Sequence, residues 1–503
     1  MGFDFDSETR RRLGYRLIDH IDQYFSSLPD RSVQQVFEQR TFSGLSEKLP
    51  EVGEDAGKVL DEICRELVDK GFHVPSANYF GLMNPTPTYM AVLAETLVAA
   101  LNPQLASLAR SQLASKIEHA TVRWIAERIG WPRDPQDPAA AAGGGTLPSV
   151  GSECPAFAGT FTSGGNEANF TALALALATR FPAAIEDGMA SAGVRPTVYA
   201  SAESHHSLEK STGLLGIGRK PLRRIAVNER LRMRIDELER AVDLDAQTGY
   251  TPLCVVATAG TTNSGAIDGI PALADFCQRR GLWLHVDAAF GGGLVFSDRH
   301  RHLLRGIERA DSVTIDPHKW LMMPFAAGVI VTRHPESLAQ AFQVNTPYMP
   351  RVPDAVLADN FRVSAQWSRR MNSLKLWLTL RVHGRHAYEE VFDRQLGLAR
   401  QFAEWVRTSG DYELALDPEL TIVNFRLKQP LPNSSGGQPL PSNAAAHNAI
   451  VNEVNRDGRH WISLTTAGGR SVLRMMVISY LTDEHNLQGL QQSLMAAARK
   501  IRE

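Results

Sequence analysis

The sequence is poor in cysteine and has no long apolar run, and each shortage argues against a class of protein. Its cysteines are widely spaced and form no CxxC pair, so neither a zinc site nor a disulfide framework is indicated. No run approaches the roughly 18 to 20 apolar residues of a membrane span, and the amino terminus carries no apolar core of signal-peptide length. We therefore expect a cytoplasmic protein without a membrane partner. The four cysteines are Cys64, Cys154, Cys254 and Cys277.

Net charge is also nearly absent, at −2 over 503 residues. Without a basic field the chain has nothing to recruit nucleic acid or an anionic membrane, so small-molecule chemistry is the natural expectation. Hydrophobic residues make up 43% and charged residues 21%, which is the balance of a globular protein with a large core. The length favours two or three domains.

The hydrophobic pattern divides the chain into three regions. Residues 1–85 predict an amphipathic helical segment that packs on another domain or, as a dimerisation segment, on a partner chain. Residues 86–373 predict an α/β domain, because short apolar runs alternate with helix-length segments, as in a mainly parallel sheet covered on both faces. Residues 374–503 predict a smaller α+β domain. Proline and glycine in residues 134–153 predict a surface insertion.

The first helix is predicted from "SETRRRLGYRLIDHIDQYFSSL". Leu13, Ile18, Ile21 and Phe25 recur at helical spacing, and Ser7 is a candidate cap for the helix start.

Polar residues follow several predicted strands, at the edge where ligands gather in open parallel sheets. Ser163-Gly164-Gly165-Asn166 forms a small-residue turn ahead of a helix, and such a turn is either structural or a phosphate cradle. Asp287 ends the apolar run "LWLHVD", where a buried carboxylate needs a partner. That partner is either a set of loop amides or a heterocyclic nitrogen.

Two further features belong to the same edge. His205 and His206 follow the run "TVYASAE", as surface residues or as a flat support for a planar ring. Lys319 follows "SVTIDPH", and a lysine in a desolvated pocket can form an imine with an aldehyde. A phosphate turn, a ring-nitrogen carboxylate, a histidine ring and an imine-forming lysine together indicate a pyridoxal phosphate site.

The motifs "TSGGNEAN", "SHHS", "VATAGTT", "HVDAA" and "DPHKW", in this order, resemble the pyridoxal-phosphate-dependent group II decarboxylases. That family includes the aromatic-L-amino-acid and glutamate decarboxylases, and the resemblance runs from about residue 76 to 480. It implies a type I aminotransferase-like fold, an L-amino acid substrate, and a homodimer in which each subunit completes the other's site. An aminotransferase is disfavoured only by this resemblance, and a silent paralogue by the presence of Lys319 and Asp287.

Carried over residue by residue, the resemblance implies a role for each matching position. Lys319 would hold the cofactor covalently, Asp287 would pair with its ring nitrogen, and His205 rather than His206 would stack on its ring. Thr262 would lie beside the ring and the substrate carboxylate. The phosphate would be held by Gly164, Gly165, Asn166, Ser312 and His318.

The sequence departs from the family at the mobile loop. The family's loop carries a tyrosine proposed to return a proton to the substrate carbon, and the residue aligned with it here is Phe361. Either Tyr348, or His205 with a water, supplies the proton and an amine is released, or oxygen intervenes. In the second case the products are an aldehyde, ammonia and hydrogen peroxide, as in the aromatic aldehyde synthases of the same family.

The predicted substrate pocket is also altered. Leu82 lies near a position that is aromatic in the aromatic-amino-acid enzymes, and Gln104, Leu105 and Ala106 replace apolar and aromatic walls. A bulky or aromatic L-amino acid is the expected substrate.

Overall fold

The fold is taken from a computed structural model that describes residues 3–34, 49–131, 157–349, 357–428 and 443–502. The predicted insertion at 134–153 lies outside these residues. In the described part of the chain, no helix has both the length and the apolar character needed to cross a bilayer.

Among the described residues, four helices precede the first strand. The first starts at Ser7, but its cap is Asp6, whose carboxylate accepts a hydrogen bond from the Thr9 N–H at 2.7 Å. The expected cap at Ser7 is therefore one residue off. The helices are α1 (Ser7–Ser27), α2 (Ala56–Lys70), α3 (Tyr89–Leu101) and α4 (Leu108–Ile129).

A seven-stranded sheet forms the centre of the molecule, in the order β1-β7-β6-β5-β4-β2-β3. Its strands are β1 (Ala158–Thr162), β2 (Pro196–Ser201), β3 (Leu222–Ile225), β4 (Thr251–Thr258), β5 (Trp283–Asp287), β6 (Ser312–Ile315) and β7 (Gly328–Thr332). Neighbours from β6 to β3 pair in parallel, whereas β7 runs antiparallel to both β6 and β1. Six strands therefore end at one edge, and the mainly parallel α/β prediction is confirmed.

The strands of this sheet are buried because helices cover both faces. Every residue of β2, β5, β6 and β7 is buried, which explains their continuous apolar runs. The connecting helices are α5 (Gly165–Arg180), α6 (Pro182–Glu186), α7 (Ser207–Leu214), α8 (Ile235–Gln247), α9 (Ile270–Arg280) and α10 (Ser337–Phe342).

A smaller antiparallel sheet with its own apolar core follows, as the carboxy-terminal pattern predicts. Its strands, in the order β10-β11-β9-β8, are β8 (Tyr412–Leu416), β9 (Ile422–Leu427), β10 (Ser463–Ala467) and β11 (Arg470–Met476). The long helix α11 (Ser373–Thr408) leads into it, with a kink at Gly384, and α12 (Asn443–Asn455) and α13 (Glu484–Arg502) pack on it. The domain boundaries at 85 and 373 stay a prediction.

Candidate active site

A cavity of about 320 Å³ opens at the edge where the six parallel-running strands end. It brings together residues from the loops after β1, β2, β4, β5 and β6, as ligand sites at such edges do. Eight of the predicted site residues line it: Gly164, Gly165, Asn166, His205, Thr262, Asp287, His318 and Lys319.

The turn before α5 is shaped by two glycines that leave no room for side chains. Gly164 has a φ of +148°, and a Cβ there would lie 3.0 Å from the His318 ring. At Gly165 a Cβ would lie 2.6 Å from Oδ2 of Asp316. The backbone can therefore approach a ligand closely, and the N–H groups of the first helical turn lack partners within the helix. Such a helix start suits a phosphate.

His318 stands against this turn with a defined proton position. Its Nδ1 accepts a hydrogen bond from the Ala327 N–H at 2.9 Å, and its ring packs on that of Phe325 with centroids 4.4 Å apart. Burial lowers the pKa of His318, so the neutral ring carries its proton on Nε2. That N–H can donate to an anion in the cavity.

Asp287 ends β5 with only 5% of its surface exposed. Its Oδ2 accepts from Nδ2 of Asn169 at 2.8 Å, and its Oδ1 accepts from the Ala289 N–H at 3.1 Å. A carboxylate that accepts hydrogen bonds from neutral donors is stabilised as an anion. Its charge remains available to a cationic group in the cavity.

His205 and His206 have different surroundings. His205 is part of the cavity wall, where its Nδ1 accepts from the Ser207 N–H at 3.1 Å and burial lowers its pKa. The side chain of His206 is 86% exposed. His205 therefore offers a neutral flat ring to the cavity, whereas His206 faces solvent.

Lys319 reaches the cavity from the loop after β6. Its Nζ lies 3.1 Å from Oδ2 of Asp316, a carboxylate that is 2% exposed. The described lining residues include no second lysine or arginine. The Lys319 amine is therefore the group in the cavity that can react with an aldehyde.

The structure corrects the phosphate role expected of Ser312. This serine opens β6, at the strand end away from the cavity, and its hydroxyl lies 2.9 Å from both Nε1 of Trp283 and Nδ1 of His285. Ser312 is buried among these side chains and does not line the cavity.

Phe361, the residue predicted to stand in place of a loop tyrosine, lies outside the cavity of its own chain. Phe361 is 5% exposed, its N–H donates to the Ala106 carbonyl at 3.1 Å, and its ring packs on Trp367 at 5.0 Å. A side chain fixed in this way does not line the cavity of its own chain. Tyr348 is 69% exposed and stacks on the outer side of Trp367, with ring centroids 6.2 Å apart.

The predicted substrate-pocket positions also lie outside this cavity. Leu82 is 46% exposed, Gln104 is exposed and donates to Oγ of Ser368 at 2.9 Å, and Ala106 is buried beneath Phe361. In their place, Met83 lines the cavity.

Sequence reasoning missed three lining residues with evident chemistry or shape. Asp316 lies inside the motif "DPHKW", and its position three residues before Lys319 was a usable signal for an ion pair. Asn169 follows Asn166 by three residues in α5, so helical spacing places both on one face. Phe325 gave no signal, because its position depends on the loop after Lys319.

The residues present fit pyridoxal phosphate. A glycine cradle with the His318 N–H can receive a phosphate, Lys319 an aldehyde, and Asp287 a protonated ring nitrogen, all around one cavity.

Comparison with known proteins agrees with this fit. The chain is 28% identical to an aromatic-L-amino-acid decarboxylase of Bacillus atrophaeus, over 98% of this chain and 96% of the relative. It is 32% identical to an L-2,4-diaminobutyrate decarboxylase of Rhizobium meliloti, over 93% and 90%. The structure superposes on Catharanthus roseus tryptophan decarboxylase in complex with L-tryptophan with a TM-score of 0.84, at 25% identity and over 99% and 100% of the chains.

The sequence profile of the pyridoxal-dependent decarboxylase conserved domain matches residues 39–428, which include every residue that lines the cavity. The chain belongs to the pyridoxal-dependent decarboxylase family.

Proposed function

We propose that this protein decarboxylates a bulky or aromatic L-amino acid and releases the amine and carbon dioxide. The observation that carries the proposal is the meeting of Lys319, Asp287 and the glycine cradle around one cavity. The family fixes the cofactor as pyridoxal 5′-phosphate, which supplies an electron sink for the pair of electrons left when the Cα–carboxylate bond breaks.

Each group of cavity residues has a separate role in binding the cofactor. Gly164 and Gly165 let the backbone at the start of α5 hold the phosphate, together with the N–H of His318. Lys319 would hold the aldehyde carbon through Nζ, and Asp287 would stabilise a proton on the ring nitrogen. The neutral ring of His205 would support one face of the cofactor.

The amine is the proposed product because Tyr348 keeps an exposed phenol, whereas Phe361 is buried. Phe361 is buried against Trp367, away from the cavity of its own chain. Tyr348 also lies outside the cavity of its own chain, and we propose that its phenol donates the proton to the substrate carbon in the site of a partner subunit.

A bulky apolar side chain is favoured by the charge and shape of the cavity. Lys319 is the sole lysine or arginine among the described lining residues, so an acidic side chain would find no cation of its own. A second ammonium would need a carboxylate of its own, but of the two lining carboxylates Asp287 is assigned to the ring nitrogen and Asp316 pairs with Lys319. Met83, Phe290 and Phe325 supply apolar wall.

A homodimer that completes the site is part of the proposal. The proposed pocket residues Leu82 and Gln104 are exposed in the single chain. This exposure is expected of residues that line the active site of a partner subunit. Helix α3 and the start of α4 also expose apolar side chains: Leu97 is 47%, Leu101 is 68% and Leu113 is 72% exposed.

The test is product analysis under air with L-tryptophan, L-tyrosine, L-2,4-diaminobutyrate and L-glutamate. We expect amine and carbon dioxide in equal amounts from an aromatic substrate. Faster carbon dioxide release from diaminobutyrate or glutamate would overturn the substrate, and hydrogen peroxide formed in step with carbon dioxide would overturn the product.

A further inference from the structure

A line of buried polar side chains runs behind Asp287, away from the cavity. Nδ2 of Asn169 lies 2.8 Å from Oδ2 of Asp287, and Oδ1 of Asn169 lies 3.1 Å from Nε2 of His285. On its other side, Nδ1 of His285 lies 2.9 Å from Oγ of Ser312, which is 2.9 Å from Nε1 of Trp283. Asn169, His285 and Ser312 are each at most 1% exposed.

The direction of every hydrogen bond in this line is fixed by its ends. The Trp283 N–H can only donate, so Ser312 accepts from it and has its own proton left for Nδ1 of His285. The Asp287 carboxylate can only accept, so Asn169 donates with its nitrogen and turns its oxygen to His285. His285 must therefore donate from Nε2.

The charge of His285 follows from its burial. Burial lowers the pKa of His285 to about 4, so the ring is neutral near pH 7 and carries one proton. The Ser312 carbonyl, at 3.2 Å from Nδ1, could accept only from a ring protonated on that nitrogen. The neutral form with the proton on Nε2 satisfies both Asn169 and the Ser312 hydroxyl.

We propose that Asn169, His285 and Ser312 are positioning residues that hold Asp287 as an anion directed at the ring nitrogen of the cofactor. The line ends on Asp287 with a neutral amide N–H, which stabilises the carboxylate without cancelling its charge. A cation in the place of Asn169 would compensate that charge and weaken the hold on a protonated ring nitrogen. The proposal rests on the cofactor role of Asp287 given above, and the experiment separates the two.

The test compares two ligands on the full-length apoprotein: pyridoxal 5′-phosphate, and 1-deazapyridoxal 5′-phosphate, in which C–H replaces the ring nitrogen. Only the first can use Asp287, so the ratio of the two affinities reports that contact. We expect Asn169→Ala and His285→Phe to lower this ratio about tenfold, the usual scale for a hydrogen bond to a charged group. His285→Gln can donate to Asn169 and accept from Ser312, and we expect it to retain the ratio within about twofold.

Thr332→Val is the matched control. Thr332 is the backbone partner of Ser312 on the neighbouring strand and is buried. Its hydroxyl donates to the Asp311 carbonyl at 3.0 Å and accepts from the His334 N–H at 3.1 Å, and it has no hydrogen bond to the side chains of the line. We expect it to leave the ratio unchanged. Equal losses for both ligands in the Asn169 and His285 variants, or no rescue by His285→Gln, would overturn the proposal.

If Asp287 does not contact the ring nitrogen of the cofactor, the result is different: the unaltered protein binds both ligands equally or binds neither. A measurement on the unaltered protein also covers variants that do not fold. The ¹⁵N shifts of His285, assigned by their absence in His285→Gln, should report a neutral ring protonated on Nε2 between pH 6 and 8. A ring protonated on Nδ1 would overturn the proposal.

Discussion

The Nζ atom of Lys319 lies 3.1 Å from Oδ2 of Asp316, while Oδ1 of the same carboxylate has no hydrogen-bond partner among the described residues. Asp316 is 2% exposed, so Lys319 is the main compensation for its charge. The pair holds the lysine in the cavity before any aldehyde binds.

Lys319→Ala should therefore destabilise the apoprotein as well as prevent covalent capture of the cofactor. We expect a loss of about 2 to 3 kcal/mol in the free energy of unfolding, because a buried carboxylate is left unpaired. Adding Asp316→Asn should recover at least half of that loss. Denaturant unfolding of the two variants measures this, and a double variant no more stable than Lys319→Ala would contradict the ion pair.

Phe361→Tyr should leave the ratio of amine to aldehyde unchanged, because the ring at this position is buried against Trp367. Tyr348→Phe should lower amine formation by about tenfold or more, the scale of a lost general acid. Amine, aldehyde and hydrogen peroxide measured together decide the point. A shift toward amine in Phe361→Tyr would support the loop role that the sequence predicts for this position.

The stability of the protein should fall in acid partly through His285. Its pKa is about 4 in the folded protein and near 6.5 when unfolded, so between these values the unfolded state binds more protons. Folding stability from this residue is complete above pH 6.5 and falls as pH drops toward 4.

The comparison protein for this effect is His285→Gln, which has no group that titrates in that range. Thermal unfolding at pH 7 and pH 5 should show a smaller fall in Tm for His285→Gln than for the unaltered protein. Equal falls would mean that His285 is not a buried neutral ring.

Exposed leucines on α3 should mark the dimer interface. Leu97 and Leu101 are four residues apart on one helix face, and charges there should separate the subunits. We expect Leu97→Glu with Leu101→Glu to give a monomer in analytical ultracentrifugation and to lose activity. Leu244→Glu, at a 60% exposed position on α8, is the control and should stay dimeric.

The sequence predicted the site better than its surroundings, for physical reasons. Polar residues after buried strands meet at one edge, so Asp287, His205 and Lys319 could be placed together without coordinates. The predicted phosphate role of Ser312 does not satisfy this rule, because Ser312 is the first residue of its strand and does not follow it. Strand direction alone would have corrected this.

Phe361 and the hydrogen-bonded line behind Asp287 could not be predicted in this way. The burial of Phe361 depends on contacts with Trp367 and the distant Ala106 carbonyl, which no local pattern encodes. His285 and Asn169 meet across a strand and a helix, and His285 sits in an apolar run that gives no sign of a polar neighbour.

The antiparallel strand β7 has a consequence for synthesis of the chain. Gly328 of this strand packs against the backbone of Gly164. The phosphate cradle is therefore completed by a strand that is synthesised more than 160 residues after the turn. Contacts between such distant segments form late in folding. A nascent chain that ends before β7 would lack a finished binding site, and uptake of the cofactor would then stabilise only molecules whose large sheet is whole.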